Sequence, residues 1–134
     1  MLKKIVLVCA AAITLTACDT TTMGTGTNLQ EAGWLLVAKN DERSEFYIRK
    51  AEGVPGTVYW ETIRTSDSEF VFQREYDCKN RRYRDLIAPV ERTKGLRLKH
   101  RNKEWAPMSS LIPDSAPAYI ADMICSGRIV PYAT

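Results

Sequence analysis

The segment 69–78 constrains the fold more than any other part of this 134-residue chain. Three aromatic side chains and a cysteine share one parity, namely Phe70, Phe72, Tyr76 and Cys78. Four acidic or amide side chains share the other parity, namely Glu69, Gln73, Glu75 and Asp77. Because successive side chains of a strand point to opposite faces, this alternation predicts a β-strand with one buried face. Arg74 lies on the buried parity, so we expect it to lie near a sheet edge or to pair with an acid.

Further segments carry strand signals, and one carries helix signals. Apolar, β-branched or aromatic runs separated by turn residues predict strands at 34–38, 45–48, 58–65, 81–88 and 96–101, with a short terminal strand at 129–130. Near the C terminus, Ser115 can cap a helix that has Pro117 in its first turn and Gly127 at its end. The sequence therefore predicts an α+β domain, a single antiparallel sheet of five to seven strands with one C-terminal helix covering a face.

The N-terminal residues read as an export signal. Lys3 and Lys4 precede an uncharged apolar stretch of about 12 residues, shorter than the ~20 that span a bilayer as a helix. The stretch ends in Leu15-Thr16-Ala17-Cys18, which matches the bacterial lipobox. The match implies cleavage before Cys18 and acylation of its thiol and new amine; the alternative is an ordinary secretory peptide with a chance cysteine. The predicted organisation is a signal peptide at 1–17, a lipidated flexible tether at 18–31 and a folded domain at 32–134.

The four cysteines divide between these segments. Cys9 leaves with the signal peptide and Cys18 carries the lipid, so Cys78 and Cys125 remain in a compartment that oxidises thiols. We expect these two to form a disulfide that fastens the helix to the sheet, the alternative being two free thiols.

Positive charge is concentrated in one segment. After removal of the signal peptide, seventeen Lys and Arg are nearly balanced by sixteen Asp and Glu, which argues against a nucleic-acid-binding protein. Residues 79–103, however, carry ten basic and two acidic side chains. The strand parities predict an anion-binding patch formed by Arg82, Arg84, Arg97, Lys99 and Arg101. The alternative is a solvated face whose cations pair with the acidic residues of 19–78.

The sequence offers little support for catalysis. His100 is the single histidine, and the spacings typical of metal, nucleophile-elbow or phosphate-loop sites are missing from the sequence. Its position on an apolar strand parity favours a hydrogen-bonded, partly buried side chain. We therefore expect a protein without enzymatic activity, metal site or cofactor.

Several of these features together resemble the surface-adhesin protein E family of small bacterial lipoproteins. They are the lipobox start, the Trp34-Leu35 opening, the aromatic strand ending in Cys78, the Arg82-Tyr83-Arg84 strand, and Pro113-Asp114-Ser115 ahead of Ile124-Cys125. The resemblance covers about residues 32–127. It implies a six-stranded antiparallel sheet, a C-terminal helix tied to it by a Cys78–Cys125 disulfide, and dimerisation. The family's named member binds host proteins and haemin; this chain matches no adhesive motif position by position, and only His100 is available as a haem ligand.

These features predict a lipid-anchored protein of the bacterial cell envelope with a non-catalytic binding domain. One hypothesis is an adhesin-like module on the outer membrane or cell surface that binds a host or envelope protein or an anionic polysaccharide. The other is a structural or assembly lipoprotein with a periplasmic partner. Asp19, directly after the lipidated cysteine, resembles a signal that retains some lipoproteins at the inner membrane.

Overall fold

A computed structural model describes residues 29–94 and 104–133. Six strands form one antiparallel sheet in the order β1 to β6, so each pairs with its neighbours in sequence. The elements are β1 (Leu35–Lys39), β2 (Glu45–Lys50), β3 (Thr57–Arg64), β4 (Glu69–Asp77), β5 (Arg82–Glu91), β6 (Ala106–Pro107) and the helix α1 (Ala116–Ser126), with 3-10 turns at Arg92–Lys94 and Met108–Ser110. The predicted α+β architecture, a sheet of about six strands with one C-terminal helix, is confirmed.

One face of the sheet, which we call the helix face, packs against α1. The core on this face consists of Val37, Ala38, Phe46, Ile48, Tyr76, Met108, Ile120, Ala121, Met123 and Ile124. The helix contributes its buried stripe because residues three and four positions apart lie on one side of a helix. Burying a large apolar side chain of this kind contributes about 1.5–3 kcal/mol, so this core is the main attachment of the helix.

The helix begins and ends where the sequence predicts. The Ser115 hydroxyl accepts a hydrogen bond from the Ala118 N–H at 3.3 Å. Gly127 adopts the left-handed conformation with φ 74° and donates its N–H to the Ile124 carbonyl at 3.2 Å. A disulfide joins Cys78, just after β4, to Cys125 in the last turn of α1, with 5.3 Å between the Cα atoms. The predicted disulfide is confirmed, and the alternative of two free thiols is wrong.

The opposite face, which we call the outer face, has a second core that the sequence does not predict. It contains Leu29, Trp34, Leu36, Tyr47 and Val71. Leu29 is 2% exposed, and its carbonyl accepts hydrogen bonds from the N–H groups of Ala32 and Trp34. Composition places Leu29 in the flexible tether at 18–31; the folded domain instead includes the end of that segment, because a turn folds Leu29 back against Trp34.

Other predictions concern the chain ends and the basic segment. The strand predicted at 129–130 is not formed; the chain there runs beside β1, where the Tyr132 N–H donates to the Leu36 carbonyl at 2.8 Å. The strand predicted at 96–101 and the signal peptide lie outside the described residues. Cys18, Arg97, Lys99, His100 and Arg101 lie outside them as well.

Candidate binding surfaces

Two members of the predicted anion-binding patch lie side by side on the outer face. Arg82 and Arg84 occupy the same parity of β5, opposite Asp77 and Glu75 of β4. The Arg82 Nε lies 2.7 Å from the Asp77 Oδ2, and an Arg84 guanidinium nitrogen lies 2.7 Å from the Glu75 Oε1. Each of these arginines therefore already has a carboxylate partner, as the solvated-face alternative expects.

Trp105 adds a contact that the sequence does not indicate. Its ring lies 4.5 Å from the Arg82 guanidinium carbon and 4.2 Å from that of Arg84, measured to the ring centroid. The pairing of β6 with the start of β5 brings the ring to this place. Guanidinium groups stack favourably on the electron-rich face of an indole ring. Each of the two arginines therefore pairs with a carboxylate of β4 and also contacts the Trp105 ring.

The pKa of Asp77 is lowered by its neighbours on the outer face. Hydrogen bonds from Asn80, and then from Arg82, hold the pKa of the Asp77 carboxyl below its ordinary value. The carboxylate therefore stays ionised and continues to balance Arg82 over a wide pH range. A new anion would have to compete with a fixed intramolecular one, so Arg82 and Arg84 alone form a weak anion site.

On the helix face, four polar side chains form a buried network within the sheet. Arg74 donates from Nε to the Asp85 Oδ1 at 2.6 Å, and the Tyr76 hydroxyl donates to Glu61. The Arg74 guanidinium also lies over the ring of Tyr83, at 4.6 Å. The expectation that Arg74 pairs with an acid is confirmed, whereas Glu61, which is 4% exposed, was not singled out by its sequence context.

Burial controls the ionisation of this network. Desolvation raises the pKa of Glu61, while the Arg74 charge and the Tyr76 hydrogen bond oppose that rise. Desolvation and the negative charge of Glu61 raise the pKa of Tyr76 well above its ordinary value. The pKa of Arg74 is also raised, because its hydrogen bond to Asp85 and the surrounding acids outweigh the opposing effect of burial. The network therefore ties β3, β4 and β5 together through hydrogen bonds and through one cation placed near two carboxyl groups.

An open groove of about 930 Å³ lies at the edge of the sheet beside the start of α1. Three separate segments form its walls: residues 37–41 with Phe46, residues 114–119 with Asp122, and residues 130–133. Three large side chains of this groove are well exposed, namely Tyr119 at 50%, Val130 at 54% and Tyr132 at 41%. Aromatic side chains exposed together in a concave site are typical of binding surfaces.

The charged residues of this groove are mainly acidic. Asp41, Asp114 and Asp122 are exposed along it, and Lys39 is the one cation among the described residues that line it. Lys39 is already engaged, since its Nζ lies 3.5 Å from the Glu45 Oε2 and 5.6 Å from the centroid of the Tyr132 ring. The groove thus combines an apolar floor with a negative rim.

Metal sites and membrane-spanning helices are two further possibilities for residues 29–94 and 104–133. These residues contain no group of three or more His, Cys, Asp or Glu side chains placed to hold a metal ion. Over the same residues, no helix combines the length and apolar character needed to cross a membrane.

Comparison with known proteins found no matching family model, no matching curated protein and no matching solved structure.

Proposed function

We propose that this chain is a lipid-anchored protein of the bacterial cell envelope whose folded domain binds a protein partner and catalyses no reaction. The observation that carries the proposal is the Leu15-Thr16-Ala17-Cys18 motif at the end of an apolar export signal. Each buried methylene of an acyl chain contributes about 0.8 kcal/mol to membrane binding, so several chains on Cys18 anchor a protein stably.

Two properties of the described domain support this proposal. The Cys78–Cys125 disulfide fits a protein that folds in an oxidising compartment outside the cytoplasm. The groove beside α1 offers exposed aromatic side chains of the kind that protein interfaces use. Of the predicted anion-binding patch, Arg82 and Arg84 are the members that the structure describes, and both are already paired with carboxylates.

Metabolic labelling with palmitate tests the anchor directly. We expect the full chain to incorporate the label and to fractionate with membranes, and Cys18→Ala to abolish both. Cys9→Ala provides a matched control, because it removes a cysteine of the same signal peptide and leaves the lipobox intact. If the wild-type chain stays unlabelled and soluble, the proposal is wrong.

A periplasmic structural or assembly role is the second candidate, and Asp19 is the residue that favours it. A lipoprotein retained at the inner membrane has its partner within the periplasm, whereas a surface adhesin is exposed to the medium. Protease treatment of intact cells separates the two. Cleavage of the domain supports the adhesin-like role, and protection that is lost when the outer membrane is permeabilised supports the periplasmic role.

A further inference from the structure

We infer that the groove beside α1 is the partner-binding site, and that its occupant is an extended polypeptide segment bearing both cationic and apolar side chains. This inference rests on the proposed function and adds to it the location of the site and the chemistry of the partner.

The polarity of the groove favours a polypeptide over a small molecule. Sites for small ligands usually place a few buried polar groups that converge on the ligand and orient it. Within the described part of the chain, the buried polar side chains are Ser44, Glu61, Thr62 and Gln73, and none of them lines the groove. Its floor is instead made of apolar side chains, including the buried Val37 and Phe46. Its polar groups lie on the exposed rim, where they suit a chain that crosses the site.

The aromatic side chains supply contact area for such a segment. Tyr119 projects from the first turns of α1, and Tyr132 belongs to the C-terminal segment, so the two approach the groove from different elements. Both are about half exposed and can lose further water-accessible area when a partner binds. Tyrosine is enriched in interface cores because it buries a large ring while its hydroxyl remains hydrogen-bonded.

The rim charges select a cationic partner. Asp41 comes from the turn after β1, Asp114 from the residue before the helix cap, and Asp122 from the exposed side of α1. Asp122 lies 3.4 Å from Arg81, but both side chains are more than half exposed, and such a pair is readily exchanged for another cation. Asp41, Asp114 and Asp122 outnumber Lys39, so the described lining of the groove has a net negative charge. Complementary charge accelerates association and excludes acidic partners.

A pair of probe peptides tests this inference with the full lipidated chain held in micelles of a non-ionic detergent. One fluorescent peptide is an extended sequence of Lys, Pro and Leu, and the other replaces every Lys with Glu. We expect the cationic peptide to bind, as measured by fluorescence anisotropy, and the acidic copy to bind at least tenfold more weakly. Binding of the acidic copy with equal affinity, or of neither peptide, would overturn the inference.

Substitutions assign the binding to the groove. Asp41→Asn, Asp114→Asn and Asp122→Asn should each weaken binding of the cationic peptide about two- to threefold, since exposed ion pairs contribute modestly. Asparagine suits position 114 in particular, because Asp114 has φ 62° and Asn tolerates the left-handed region. Tyr119→Ala should weaken binding about tenfold or more by removing an aromatic contact.

The matched control is Glu52→Gln, which removes one exposed acid in the turn between β2 and β3, at the end of β2 away from the groove. We expect the dissociation constant to stay unchanged. An effect as large as that of Asp114→Asn, or full binding by Tyr119→Ala, would overturn the assignment to the groove. If the groove variants fail to alter binding while the chain still carries palmitate, only this inference is wrong. If the wild-type chain carries no palmitate, the proposed function is wrong.

Discussion

Substitution of Arg74 by methionine tests whether the buried network stabilises the fold through its charges. The Arg74 and Asp85 side chains are each 12% exposed, and Arg74 carries the positive charge that faces the buried carboxyl group of Glu61. Methionine preserves much of the unbranched apolar stem, so the change chiefly removes the cation. Removing one partner of a buried ion pair costs about 3–5 kcal/mol, because the remaining charge is left in a poorly solvated site. We expect the free energy of unfolding at pH 7 to fall by about that amount.

The loss should depend on pH with a defined sign. Burial already raises the pKa of Glu61 in the folded protein, and removing Arg74 removes the largest effect that opposes this rise. A carboxyl whose folded pKa exceeds its unfolded value of about 4.3 binds more protons in the folded state. Its contribution to stability is therefore greatest at low pH and falls as the pH rises through the window above the unfolded value. The Arg74→Met penalty should thus be smaller near pH 4 than at pH 7.

Urea denaturation of the wild type and the variant at both pH values measures the effect. Arg82→Met is the matched control, since it breaks a cross-strand pair with Asp77 on the outer face, where Arg82 is 41% exposed. Its penalty should stay below about 1 kcal/mol. Adding Glu61→Gln to Arg74→Met should recover part of the loss at pH 7, because the amide oxygen can still accept the Tyr76 hydrogen bond. An equal penalty at both pH values would refute the electrostatic account and assign the loss to packing.

Three further predictions concern the attachment of the helix and the N-terminal turn. The disulfide joins residues 47 positions apart, so replacing Cys78 and Cys125 with alanine should lower the free energy of unfolding by about 4 kcal/mol in chemical denaturation, a value expected from loop-closure entropy. Ser115→Ala should lower the free energy of unfolding by about 1 kcal/mol in the same assay, because it removes the acceptor of the Ala118 N–H. Ser115→Asp should stay close to wild type, because a carboxylate oxygen can accept the same N–H. Leu29→Ala should lower the free energy of unfolding by about 2–5 kcal/mol, because Leu29 is a buried core residue. A change of only a few tenths of a kcal/mol would show that Leu29 belongs to the flexible tether.

The sequence predicts those elements whose signals are local. The alternation at 69–78 identifies β4 and the parity that faces the helix, because the strand period of two does not depend on which neighbour it pairs with. The prediction that only this parity is buried is wrong, since Val71 and Gln73 on the other parity are buried as well. The helix is predicted to within its cap residues, since Ser115 and Gly127 mark its two ends through their own backbone and side-chain chemistry.

The buried network shows where such local signals stop. Parity places Arg74 on the helix face and leaves its acidic partner unidentified. The partner is set by the register of β4 against β5, which aligns Arg74 with Asp85 and shifts between Gln73 and Arg74. Glu61 presents the same difficulty, because a carboxylate within a strand is ordinarily placed in solvent. Its burial becomes apparent only when Tyr59, Glu61 and Ile63 are seen to share the helix face.

Composition misplaces Leu29 for a related reason. The preceding threonine- and glycine-rich residues are typical of a linker, and a single leucine among them does not alter that average. What places Leu29 in a core is its packing in the outer-face cluster that also contains Trp34 and Val71. A tertiary contact of this kind has no periodic signature, since one residue cannot define a period.

The groove is the strongest example of a feature that no window of the sequence contains. Its walls come from the β1–β2 hairpin, the start of α1 and the last described residues, which only the folded sheet brings together. The Cys78–Cys125 bond fixes the last turn of the same helix, whose first turns and Asp122 line the groove. The bond therefore limits how far α1 can move away from β1, although neither cysteine lines the groove. For the proposed partner, a rigid wall of this kind would reduce the entropy lost on binding, so the disulfide would support recognition as well as stability.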